Sequence, residues 1–363
     1  MKETDAHIKL AEKLGAPVSR RFISILEAMF TPEESQLLLE LFAPATCPEL
    51  ASRLKVDEKS LSKKLDDLVD RGVLTRGKTQ YAFHTSLLAF HHDVVGDPAV
   101  EPVPENVKEL WGDFFRNEWS DMFVEGYIRR QEATGRPVHR VWPAIGALEL
   151  SPKIPPEQIL PEEDFRVTIH NAKRRIIAPC GCRKLWAACD HPQETCFACF
   201  DNSRGEYYIN QPNRLLREVS LEETFDIVRK AEEAGLVHIG VCFCCTCCCE
   251  ILYSLTRAKR FDLLGPSRYR ATVETESCSG CQTCIDRCPF DAIEMVKIPD
   301  SKKMKARIIN EKCMGCGVCV ITCEPNALTL EIARPPEYIT GQPRYETSPE
   351  FRRSSPWGFY DLK

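Results

Sequence analysis

Along the first ninety residues, apolar positions recur at helical spacing between polar punctuation marks. Thr31-Pro32-Glu33-Glu34 is a capping box with proline at the first helical position, and it predicts a helix running to about Phe42. Thr46-x-x-Glu49 repeats the signal for a short helix to Leu54. Asp57 can cap a third helix, in which Leu61, Leu65 and Leu68 share one face and Gly72 ends the run. Val73 to Thr75 and Thr79 to Phe83 read as two short strands around Arg76-Gly77-Lys78. From Gly96 to about Pro161 frequent prolines exclude long regular elements, except between Glu105 and Gln131. There Trp111, Phe114, Phe115, Trp119, Phe123 and Tyr127 predict an aromatic helix face packed between domains. Further on, Ser220-x-x-Glu223 opens a helix with Leu221, Phe225, Val228 and Ala231 on one face, and Gly235 stops it.

A chain of 363 residues is too long for one ordinary core, so the pattern reads as a multidomain α+β protein. The order helix, helix, helix, hairpin over residues 1–95 resembles a winged helix, a module of transcription factors and of protein-protein adaptors. Residues 96–165 form a connector rich in proline and aromatics, 166–265 a cysteine-rich α/β segment, 266–331 a further module, and 332–363 a proline-rich tail. The net charge of −5 lacks the basic surplus of proteins that live on nucleic acid.

Composition changes the picture at one residue type. Of 20 cysteines, all but Cys47 fall between Cys180 and Cys323, so the choice lies between disulfides and metal. The start MKETDAHIKLAEKLG has neither the apolar core nor the cleavage site of a signal peptide, which argues for the cytoplasm, reduced thiols and metal. The apolar-scoring window Leu236 to Leu255 holds His238, Glu250 and six cysteines, and therefore reads as a buried metal-binding segment and not a membrane span.

One internal repeat stands out. Cys278-x2-Cys281-x2-Cys284-x3-Cys288-Pro289 recurs 35 residues later as Cys313-x2-Cys316-x2-Cys319-x3-Cys323. Pro-Phe-Asp-Ala-Ile follows the first run and Glu-Pro-Asn-Ala-Leu the second. Over about sixty residues, Arg270 to Leu330, this resembles the two-cluster bacterial ferredoxins. Three cysteines at intervals of three wrap a loop around one face of an iron-sulfur cubane, while backbone N–H groups point at the sulfurs. The resemblance implies two 4Fe-4S clusters, one on Cys278, Cys281, Cys284 and Cys323, the other on Cys313, Cys316, Cys319 and Cys288. A zinc ribbon would instead need paired C-x2-C units with no third cysteine and no Cys-Pro ending. In the second run Glu324 stands where the family has proline; a carboxylate there disfavours the reduced cluster, so the cluster holding Cys323 is expected to have the lower potential.

A second set of thiols lies upstream: Cys180, Cys182, Cys189, Cys196 and Cys199, then Cys242, Cys244, Cys245, Cys247, Cys248 and Cys249. Neighbouring cysteines leave the backbone in different directions, so the dense run can hardly serve one metal. Eleven thiols leave room for one or two further iron-sulfur clusters, or for one cluster and a zinc. With Cys-x-Cys-Arg183, Glu194-Thr195-Cys196 and Gly235-Leu236-Val237-His238, the segment from Arg166 to Leu330 resembles a group of ferredoxin-domain proteins of anaerobic bacteria and archaea. More distantly it is similar to the cysteine-rich modules of heterodisulfide reductases, although their Cys-Cys-Gly signature is absent. His238 is expected to be a core histidine, and Arg183 either a hydrogen-bond donor to cluster sulfur or a surface residue.

These readings favour an electron carrier, or an oxidoreductase subunit, that relays single electrons between redox partner proteins of anaerobic metabolism. The alternatives are a redox-responsive DNA-binding regulator and a reductase with its site between Cys180 and Cys249. For DNA, Arg53, Lys55, Lys59, Lys63 and Lys64 surround the third helix. Against it, residues 18–95 hold ten Lys/Arg and eleven Asp/Glu. No glycine-rich nucleotide motif is present, so a flavin or nicotinamide would have to belong to a partner.

Overall fold

The structure is a computed structural model that describes residues 4–83, 87, 90, 91, 104–186, 188–200, 215–240, 242–299 and 301–339. The side chains of residues 186 and 198–200 and most of the C-terminal tail lie outside that description.

The N-terminal signals work as written. Thr31 and Thr46 each form a reciprocal capping box, with Glu34 and with Glu49, at the heads of helices Pro32–Leu39 and Cys47–Leu54. Asp57 caps Glu58–Asp70 by accepting from the Ser60 amide at 2.8 Å. Two further helices, Thr4–Lys13 and Arg20–Met29, precede them. The first of the three expected helices stops at Leu39, short of Phe42, where the Glu40 and Leu41 amides turn to the carbonyls three residues back, Leu37 and Leu38, at 3.1 and 3.0 Å. The hairpin strands are likewise short, Thr75–Arg76 and Gln80–Ala82, and the second also pairs with Ala45–Thr46.

Glu105 to Thr134 forms one long helix interrupted by a wide π-helical turn at Phe115–Trp119. The extra residue in such a turn rotates the helix face, so one rod can serve two cores. Trp111, Phe114, Phe115 and Trp119 join Phe22 and Phe90 in the N-terminal core. Past the turn, Val124 and Tyr127 enter a second core, which Leu252 and Leu255 of helix Glu250–Ala258 share with the C-terminal module. The aromatic stripe thus packs into two cores, one on either side of the turn.

The middle segment is a five-stranded sheet in the order Arg217–Glu218, Arg174–Pro179, Glu194–Phe200, Cys242–Cys244, Val237–Ile239. All its neighbours are antiparallel, which corrects the α/β expectation to α+β, since an α/β segment is built on parallel pairs joined by helical crossovers. Phe165, Ile177, Phe197, Val228 and Phe243 fill the space between this sheet and its helices.

The C-terminal module has two antiparallel ribbons, Tyr269–Val273 with Leu328–Ile332 and Ile293–Val296 with Lys305–Ile308. Its two halves share backbone as well as sequence. Gly280, Gln282 and Asp291 adopt positive φ, and so do Gly315, Gly317 and Asn326, each 35 residues on. Among the described residues no helix is long and apolar enough to cross a membrane.

A short wall, Val141 to Ser151, joins the middle sheet to the C-terminal module. On one side the Trp142 amide donates to the His238 carbonyl at 3.0 Å. On the other, the Ala144 amide donates to the Cys316 carbonyl at 2.9 Å and the Leu330 amide to Ser151 Oγ at 2.7 Å. Glu232, 2 % exposed, clamps the wall by accepting from the amides of Ile145 and Gly146 at 2.7 and 3.0 Å, and it meets His238 Nε2 at 2.8 Å. His238 is therefore a buried core histidine, held by Glu232 through Nε2.

Candidate metal centres

Each half of the C-terminal repeat builds a loop around an open space. The first is lined by Cys278, Cys281 and Cys284 and, from the other half, by Cys323. The second is lined by Cys313, Cys316 and Cys319 together with Cys288. The fourth cysteine of each run is therefore carried to its neighbour's loop, in the pairing that the ferredoxin resemblance implies. The residues suit an iron-sulfur group: the Ala271 amide points at Cys313 Sγ at 3.5 Å and the Ala292 amide at Cys288 Sγ at 3.4 Å, donors of the kind that stabilise charge on cluster thiolates.

The two loops differ in surroundings. Cys281 is exposed, whereas Cys313, Cys316 and Cys319 are buried. Burial pushes the Cys319 and Cys316 thiols up, so their thiolates need a positive partner such as an iron core. Cys281 moves the other way, drawn down chiefly by the Thr283 hydroxyl and amide. Arg287 reaches across from the first half to the second, donating to the Val318 carbonyl at 3.3 Å and to the carbonyls of Glu233 and Glu232 at 2.6 and 2.9 Å.

In the middle segment the dense cysteine run splits in two. Cys245, Cys247 and Cys248 meet Cys189, and the four sulfurs lie within 4.8 Å of one another. Cys244 and Cys249, which flank them, turn to the opposite side. There Cys249 interacts with both Cys244 and Cys182, and Cys182 with Cys180. The turn at residues 246–248, between strand Cys242–Cys244 and helix Glu250–Ala258, produces this sorting.

Of the remaining three, Cys196 and Cys242 face each other across antiparallel strands. The Cys199 side chain lies outside the described residues. Among the described cysteines none forms a disulfide.

Arg183 sits between the two thiol groups and is fully buried. Its Nη1 donates to the Phe243 carbonyl at 3.0 Å and lies 3.8 Å from Cys245 Sγ, while Nη2 bonds the Thr195 hydroxyl. Burial works against its charge, but Cys180, Cys245 and Cys244 outweigh that and raise its pKa. Cys245 is pulled down to about 4, first by a hydrogen bond from Cys248 and then by Cys247 and Arg183, against the effect of burial.

Sequence reasoning missed one group. His91, Cys182 and Glu250 bring their ligand atoms within 4.8 Å of one another, with His91 Nδ1 3.0 Å from a Glu250 carboxylate oxygen. All three are buried, and His91 stacks on Trp111 at 5.4 Å. No spacing rule could have found it, because its members come from positions up to 159 residues apart.

Comparison with known proteins bears on the C-terminal part alone. No curated protein and no solved structure matches the chain. Residues 277–327 match the family model of a 4Fe-4S dicluster domain, and this, with the grouped cysteines, makes the chain an iron-sulfur protein with a ferredoxin-like C-terminal module.

Proposed function

We propose that this protein is a cytoplasmic electron relay holding two 4Fe-4S clusters, one on Cys278, Cys281, Cys284 and Cys323 and one on Cys313, Cys316, Cys319 and Cys288. The observation that carries the reading is the exchange of the fourth cysteine between two like loops, each with its thiols spread around an open space. Such a pair passes single electrons, and the protein sets potential and distance without making bonds. Electrons exchange with an external redox partner at the exposed Cys281 loop. The second loop is buried against the wall, where the Ala144 amide donates to the Cys316 carbonyl.

In this reading residues 1–95 form a winged helix that docks a partner and does not read DNA. Arg53 is paired with Glu40 and Arg76 with Asp66, which takes positive charge away from the face that would meet phosphates. The aromatic helix ties this region to the helix behind the cysteine run, through Phe115 against Tyr253 and Arg257 on Ser120 Oγ at 2.8 Å.

The test is anaerobic purification with iron and sulfide counted per chain, followed by EPR of the reduced protein. At least about eight irons are expected, with Cys284→Ser removing about four, on four irons per cubane. Colourless protein, or zinc at these eight cysteines, would overturn the proposal.

A further inference from the structure

We infer that Cys189, Cys245, Cys247 and Cys248 form a tetrathiolate site for one divalent ion, zinc, separate from the iron-sulfur clusters. The first ground is spacing. A zinc ion with Zn–S bonds of about 2.3 Å holds tetrahedral sulfurs about 3.8 Å apart. Here Cys189 Sγ lies 3.5 Å from Cys248 Sγ, and all four sulfurs fall within 4.8 Å of one another. A cubane, by contrast, spreads its four thiolates over four different irons. The molecule contains its own control: among the described residues, neither of the two groups of ligating side chains that close to this distance draws on the ferredoxin cysteines.

The second ground is charge. Arg183 is 0 % exposed, and its hydrogen-bond partners are a carbonyl, a hydroxyl and Cys245 Sγ. A guanidinium enclosed in this way needs an anion beside it, and neutral thiols do not supply one. Four thiolates around Zn²⁺ carry a net charge of −2, and the Arg183 contact with Cys245 is the kind of outer-shell hydrogen bond that orients a ligand sulfur and tunes the ion. Local structure fits as well. Cys245-Thr246-Cys247-Cys248 is a turn ahead of helix Glu250–Ala258, and Cys245 and Cys248 have the two-residue spacing found in zinc-binding pairs.

The inference is independent of the ferredoxin clusters, and the experiment separates the two. Full-length protein, purified anaerobically, is analysed for zinc and iron together and then exposed to Co²⁺ after zinc removal. One zinc per chain is expected. In its place one Co²⁺ should give the intense tetrahedral d–d and thiolate charge-transfer bands of a sulfur site. Cys189→Ser should lose zinc and the cobalt bands with iron and EPR unchanged. Cys189→His, still able to ligate, should retain the ion, and Cys196→Ser, outside the group, should behave as wild type. If Cys189→Ser instead costs about four irons, the four thiols hold a cubane and the inference fails. Iron-replete protein that binds neither Zn²⁺ nor Co²⁺ at Cys189 also overturns it.

Discussion

The two halves of the C-terminal repeat start from the same instructions and finish in different surroundings. Cysteine spacing, the left-handed backbone positions and the short helices Thr283–Arg287 and Val318–Ile321 all recur at an offset of 35 residues. Yet the first loop opens to solvent, while the second is roofed by the Ala144 wall, with Gly317 packed against Ala147. A motif fixes which sulfurs meet; the neighbouring chain fixes how dry the meeting place is. In an iron-sulfur protein dryness and hydrogen bonding set the potential, so clusters bound as proposed at two equal motifs would be unequal carriers.

The strongest way to break this inequality is to remove the clamp beneath the wall. Glu232→Ala leaves the Ile145 and Gly146 amides and His238 without their buried partner, and it is expected to cost about 3–5 kcal/mol, with Glu232→Gln costing less. Anaerobic urea unfolding of the holoprotein measures the loss. A variant as stable as wild type would mean that the wall does not hold the second loop.

A smaller and more local effect is expected at equivalent positions of the repeat. Gln282 and Gly317 both have positive φ, at 70° and 79°. A Cβ on Gly317 would run into Ala147, so Gly317→Ala should cost about 1–3 kcal/mol. The exposed Gln282 meets no such neighbour in the wall, and Gln282→Gly should shift stability by less than about 1 kcal/mol. Equal responses in urea midpoints would show that the halves are packed alike.

The smallest effect concerns Glu324, which is exposed beside Cys323. Removing its charge with Glu324→Gln should raise the midpoint of the cluster holding Cys323. Water screens it, so the rise is limited to about 40 mV, the one-electron equivalent of about 1 kcal/mol. A redox titration that left both midpoints unmoved would remove Glu324 from the account of their difference.

Much of the molecule was legible beforehand. Capping boxes at Thr31 and Thr46, the Asp57 cap and the Ser220 start all mark helices in the folded chain, because a cap is satisfied by residues within three positions of it. The crossed cysteine sets of the repeat came from the resemblance to two-cluster ferredoxins, and the folded chain lines each loop with the thiols of that pairing.

Local sequence could assign eleven upstream thiols to metal but could not divide them. That division came from the turn at Cys245–Cys248 meeting Cys189 and from strand and helix ends delivering Cys180, Cys182, Cys244 and Cys249 to the other side. The buried Arg183 and the His91–Glu250 pair likewise depend on residues far apart in the chain. Sequence by itself determined the helix starts, the repeat and the choice of iron-sulfur chemistry, all of which rest on neighbours within a few residues. Only the tertiary structure decided which upstream sulfurs come within reach of one another and which loop is shielded from water, since both are set by surfaces that come together when distant segments pack.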